Sequence, residues 1–173
     1  VSNWPGASLE IYNSGLQVFP KSFSLLYGRA MAHEEVGSLK EMEDDLRAIL
    51  SVDPNHTATL NALGYTLTNN TLRFKEAEEL IKRALLMSPS DPAILDSLGW
   101  VHFKMGEYAS SEDLLRKAYS ALPDPEVAAH LGELLLTQGR KIEAIDIWKI
   151  GLSHGPTHPI ILETLRRLGA KIP

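Results

Sequence analysis

Six histidines, His33, His56, His102, His130, His154 and His158, are the residues best suited to metal or acid–base chemistry, and the chain has no cysteine. A zinc-protease pattern needs two histidines one helical turn apart with a glutamate between them. His33-Glu34-Glu35 offers the start of such a pattern and lacks the second histidine. His130 and Glu133 are three residues apart, so a helix would place both on one face as two ligands. A metal site requires three or four converging groups, and this pair is therefore read as polar groove or packing residues. His102 stands where a helical pair packs an aromatic ring and is read as a hydrogen-bonded core histidine. No glycine-rich phosphate loop, nucleophile elbow or cysteine nucleophile is found. The expectation is a non-catalytic chain with neither metal nor cofactor. Asn55-His56-Thr57 and Asn69-Asn70-Thr71 have the form of glycan acceptors, but Asn55 reads as part of a helix start and Asn69-Asn70 as a turn.

What must hold these groups is set by composition and period. The 173 residues are 44% hydrophobic, enough for a sizeable core, which must form without disulfides. Seventeen basic against 22 acidic side chains give a formal charge of -5, which removes the long-range attraction to phosphate that nucleic-acid binding uses. No apolar run approaches the roughly 18 residues of a membrane span, so no membrane insertion is expected. Val1-Ser2-Asn3-Trp4 opens without the basic-then-apolar pattern of a signal peptide.

Prolines supply the period. Pro20, Pro54, Pro89, Pro123 and Pro156 follow one another at 34, 35, 34 and 33 residues by difference of position. Before the last three lies a small, a large and a small residue spaced four and three apart, one face of a helix, with weaker copies in Met42, Leu46, Ile49 before Pro54 and Ser8, Tyr12, Gly15 before Pro20. The clearest sets are Ala77, Ile81, Ala84; Ser111, Leu115, Ala118; and Ala144, Trp148, Gly151. Upstream of the last three sets a partner helix carries Leu63-Gly64, Leu98-Gly99 or Leu131-Gly132. Glycine inside a helix costs about 1 kcal/mol relative to alanine, which a close approach of two helices would offset. Gly37, Gly106 and Gly139 fall between paired helices, where a left-handed residue ends the first. Asp91-Pro92 and Asp124-Pro125 read as a capping carboxylate followed by proline at the first helical position, and Ser38 with Glu41 as a capping box.

Period, paired helices, Leu-Gly and terminal proline together resemble the tetratricopeptide repeat. The resemblance implies an all-α, right-handed helical-hairpin solenoid. Residues 1–22 would be the second helix of a truncated repeat, 23–56, 57–91, 92–124 and 125–157 four full repeats, and 158–173 a capping helix. The first repeat departs from the pattern, with Arg29-Ala30 in place of Leu-Gly. Because such a unit cannot bury its apolar face alone, a chain opening halfway through one reads as the C-terminal part of a longer protein. Leu60 to Tyr65, Ala93 to Trp100 and Ala128 to Glu133 resemble, more narrowly, the C-terminal repeats of proteobacterial outer-membrane tetratricopeptide lipoproteins. That family implies a periplasmic adaptor tethered to the outer membrane. Its implied partners are a carboxyl-terminal processing protease and its cell-wall hydrolase substrates. The residues alone leave a cytoplasmic location open.

Solenoids bind on the concave face that their first helices line. Residues four apart there are Tyr27 and Met31, Asn61 and Tyr65, and Asp96 and Trp100; His130 with Glu133 continues the row and Arg167 closes it. Aromatic residues in such places have the profile of binding hot spots. Asp96 and Glu133 stand where a clamp for a terminal carboxylate would want cations, so an acidic, aromatic groove suited to a basic or amphipathic segment is expected. The leading expectation is an adaptor that binds a polypeptide. A self-associating scaffold, or the recruiting tail of an enzyme whose active site lies upstream, are the alternatives.

Overall fold

The computed structural model describes residues 4–156 and 158–172; Thr157 and Pro173, at the ends of two of the segments set out above, fall outside them, as do the first three residues. Ten helices make up the described chain, with no strand among the described residues. They are α1 (Trp4–Val18), α2 (Phe23–Glu35), α3 (Leu39–Val52), α4 (Thr57–Asn70), α5 (Phe74–Met87), α6 (Pro92–Lys104), α7 (Tyr108–Ala121), α8 (Pro125–Thr137), α9 (Lys141–His154) and α10 (Pro159–Leu168). None is long and apolar enough to cross a membrane. Each of the five periodic prolines sits two residues beyond the end of a helix, where its missing N–H breaks no helical hydrogen bond.

Local chemistry sets most boundaries. Asp91 accepts from the backbone N–H groups of Ala93 and Ile94, and Asp124 from that of Glu126, each ahead of proline at the first helical position. The Ser38 side chain makes no cap hydrogen bond, so the capping box does not form and α3 starts without it. Asn55 is likewise not the cap of α4: Thr59 donates to Nδ1 of His56 instead. Asp91→Ala is therefore expected to cost about 1 kcal/mol and Ser38→Ala close to nothing, read as the shift in urea midpoint; equal losses would contradict these assignments. Gly37, Gly106 and Gly139 have φ of 76, 80 and 79°, the left-handed conformation that ends each first helix.

The chain divides into two compact units, residues 1–63 and 64–173, with the boundary inside α4. In the first, α1 and α3 flank α2 around Leu16, Leu26 and Ile49. Arg29, in the slot that leucine fills elsewhere, reaches the buried Asp45 through Nε and Nη2 at 2.8 and 2.6 Å and Asn13 at 2.8 Å. The departure from the repeat pattern is thus filled by an ion pair tying α2 to α3 and a hydrogen bond to α1.

In the second unit α6 pairs with α7 and α8 with α9, while α10 packs on α8 and α9. Leu115, Leu131, Leu134, Leu135, Trp148 and Ile161 are wholly or nearly wholly buried in its main core. The glycines and the large residues of the repeat meet each other. A Cβ on Gly64 would strike Ile81, one on Gly99 would strike Leu115, and one on Gly132 would strike the indole of Trp148. These are the close approaches that the helix glycines permit.

Candidate functional site

The first helices of the second unit, α6, α8 and α10, together with residues 64–70 of α4, carry a continuous set of polar and aromatic side chains. Asp96 on α6 and His130 on α8 form a buried ion pair, His130 Nδ1 donating to the carboxylate at 2.9 and 3.0 Å. Burial pushes the His130 pKa down. The Asp96 charge and hydrogen bond, with Glu126 and Glu133 beyond, push it up further, so it stands above the ordinary histidine value. Tyr65 on α4 donates to Glu126 on α8 at 2.6 Å, and its oxygen lies 3.4 Å from His130 Nε2. Burial first, then the Glu126 charge, raise the Tyr65 pKa, so the phenol keeps its proton.

Trp100 is 4% exposed. Its Nε1 donates to Asn69 at 2.8 Å and its ring stacks on His130 at 4.1 Å and on Phe103 at 5.0 Å between centroids. Phe103 meets Tyr108 at 5.8 Å, and Tyr108 is 40% exposed. Four rings thus run from solvent to the buried pair. The Lys104 ammonium lies 4.5 Å from the Trp100 ring centre, a cation–π arrangement. Arg167 on α10 grips Glu133 on α8 with both terminal nitrogens, a bidentate pair.

The structure brings Tyr65, Asp96, Trp100, His130, Glu133 and Arg167 into one network. Tyr27, Met31 and Asn61 belong to the first unit, where all three are half-buried on α2 and α4. The expected acidic groove is revised, because each carboxylate of this network already has a donor: Asp96 has His130, Glu126 has Tyr65, and Glu133 has Arg167. Sequence reading missed Asn69, Phe103, Lys104 and Glu126. Asn69, expected in a turn, lies in the last turn of α4 and accepts from an indole, and Lys104 stands one helical turn after Trp100.

His102 is the buried histidine expected, with Nδ1 2.7 Å from Ser110 Oγ. Glu78 approaches its Nε2 at 3.3 Å and Glu107 its Nδ1 at 3.7 Å. Glu78, His102 and Glu107 each offer one ligand atom within 4.8 Å of the others, and Lys75 and Lys82 already pair with Glu78. His130 and Glu133 are similarly engaged with other partners and not with each other.

The tetratricopeptide-repeat family model matches residues 93–121, that is α6, α7 and the turn between them. A TPR repeat-containing protein of Pseudomonas aeruginosa is 49% identical over 119 residues, 69% of this chain and 20% of its own length. Tetratricopeptide repeat protein 8 of Caenorhabditis elegans is 27% identical over 95% of this chain and 32% of its own. The chain thus spans a third or less of these curated relatives. Among solved structures, a thermophilic TPR protein of Thermus thermophilus superposes with a TM-score of 0.82 at 20% identity, covering 95% of this chain and 90% of that one. PilW, a type IV pilus biogenesis factor, does so at 0.76 and 16% identity, covering 98% and 88%. These matches support a tetratricopeptide-repeat protein, and the all-α solenoid fold is that of the superposed structures. Proteins of this class are generally scaffolds that bind other proteins and do not catalyse.

Proposed function

We propose that this chain is an adaptor that binds a polypeptide on the first-helix face of residues 64–173, as part of a periplasmic, outer-membrane-tethered protein that brings a carboxyl-terminal processing protease together with cell-wall hydrolases. The observation that carries the binding reading is the ring ladder that runs from Tyr108, at the start of α7 beside that face, through Phe103 and Trp100 of α6 to His130 of α8. Aromatic side chains graded from exposed to buried supply contact area at low entropic cost. The fixed ion pairs around them hold that surface in one arrangement before any partner arrives. The protease and its substrates rest on the resemblance of Leu60 to Tyr65, Ala93 to Trp100 and Ala128 to Glu133 to the lipoprotein family. The pilus factor is similar in fold alone.

The test is light scattering on size-exclusion fractions of the chain mixed with a purified carboxyl-terminal processing protease, and separately with a cell-wall hydrolase. A heterocomplex that the exposed-residue variant Tyr108→Ala weakens supports the reading. No complex, with a mass that instead rises with the chain's own concentration, makes it a self-associating scaffold.

A further inference from the structure

We infer that the first-helix face accepts an extended segment in which an acidic side chain, Asp or Glu, lies beside an aromatic or aliphatic one, with Lys104 taking the carboxylate and Phe103 with Tyr108 taking the apolar neighbour. This rests on the binding face proposed above and names the chemistry of its partner. Three observations carry it.

The first is the pairing of charges. On this face Asp96, Glu126 and Glu133 each have a donor within hydrogen-bond distance, whereas among the described residues no carboxylate lies within ion-pair distance of Lys104. A cationic side chain arriving at Asp96 or Glu133 would have to displace His130 from a buried pair or Arg167 from a bidentate one, and at Glu126 it would compete with the Tyr65 hydroxyl. A carboxylate displaces nothing and completes the pairing of Lys104.

The second is where Lys104 sits. It is exposed as a residue, yet its ammonium rests over the Trp100 ring. Burial there lowers its pKa; the Glu133 charge opposes this and the Arg167 charge adds to it. An ammonium resting over a ring and repelled by the Arg167 charge has lost part of its hydration without gaining an ion pair, and an incoming carboxylate restores what was lost.

The third is adjacency. Phe103 precedes Lys104 in the chain and stacks on the same indole, and Tyr108 extends the apolar surface outward to solvent. Cation and aromatic surface are therefore side by side, and an extended chain presents neighbouring side chains about 3.3 Å of rise apart per residue. The carboxylate is a side chain's: the ring ladder continues past Lys104 toward Tyr108, so a segment laid along it has no need to end there.

The experiment uses the whole 173-residue chain as bait for a displayed library of random 12-residue peptides fused through their C-termini, which removes free terminal carboxylates. Wild type is expected to enrich peptides with Asp or Glu next to an aromatic or aliphatic residue. A selected peptide, made as the C-terminal amide, should bind Lys104→Glu about tenfold more weakly, and its Glu→Lys counterpart should bind that variant more tightly than it binds wild type. Both Lys104 and Tyr108 are exposed, so these variants keep the fold, which circular dichroism checks. Enrichment of basic peptides, or acidic peptides indifferent to Lys104→Glu while sensitive to Tyr108→Ala, overturns the acidic partner and leaves the face. Binding that requires a free C-terminal carboxylate overturns the side-chain assignment. Peptides indifferent to both variants, or no enrichment, remove the face as well and with it the proposed adaptor site.

Discussion

Truncating Trp148 to alanine is expected to lower the unfolding free energy by about 3–5 kcal/mol, the cost of emptying a large site in a packed core. The indole is 0% exposed at the centre of the second unit's main cluster, with Leu131, Leu134 and Ile161 among its members. Its Nε1 has no hydrogen-bond partner. Trp148→Phe gives up volume but also an unsatisfied buried N–H, whose desolvation cost is about 1–3 kcal/mol. It should therefore cost under about 2 kcal/mol. Gly132→Ala attacks the same contact from the other side, because its Cβ would lie within 2.7 Å of the indole Cδ1 and closer still to two other ring atoms. Overpacking of this kind costs about 1–3 kcal/mol. Combined with Trp148→Phe, Gly132→Ala should cost less than it does alone, since the smaller ring leaves room for the methyl group. Urea denaturation of the four proteins measures this cycle. Additive losses would mean that Gly132 and Trp148 are not each other's spatial constraint.

Removing the histidine from the Asp96–His130 pair is expected to have an effect of similar size with a different signature. Asp96 is 4% exposed, and His130→Ala leaves its carboxylate buried without its partner, a loss of about 3–5 kcal/mol for pairs of this kind. The pH dependence separates this from simple loss of packing. The folded-state pKa of His130 is raised above its unfolded value of about 6.5. A group shifted in that direction binds its proton more tightly when folded. Its contribution is fully present below pH about 6.5 and disappears as pH rises through the raised folded value. The groups facing it from the packed elements are Tyr65, Asp96, Trp100, Glu126 and Glu133. Wild type should accordingly lose stability toward alkaline pH in a way that His130→Gln does not. Parallel stability curves for the two proteins between pH 6 and 9 would show that the pair does not titrate as described.

The helices were legible because their signals are local. A proline period near 34, left-handed glycines and aspartate-proline caps act within a few residues of where they stand, and they fall at the helix ends as expected. The meeting of Gly132 with Trp148 was also readable in outline, since a small residue in one helix and a large one in the next recur at fixed positions. Even local reading failed where a competing donor or acceptor intervened, as when His56 took the cap read onto Asn55. Ser38 failed differently, offering a capping sequence without the bond.

The candidate site divides the same way. The residue types along the first helices, Tyr65, Asp96, Trp100, His130, Glu133 and Arg167, were chosen by helical spacing alone, and helical spacing does place them on neighbouring faces. What spacing could not supply was which charge meets which. Asp96 and Glu133 read as an acidic groove because sequence counts charges without their partners. The tertiary structure joins them to His130 and Arg167, each 34 residues further along the chain, and leaves Lys104 with no carboxylate within ion-pair distance among the described residues. The sequence by itself determined the repeat, its helices and the stripe of polar and aromatic residues, all of which follow from interactions between near neighbours. Only the packing of one repeat on the next decided the sign of the surface, because Coulomb energy and desolvation depend on distance and burial in space and not on position along the chain.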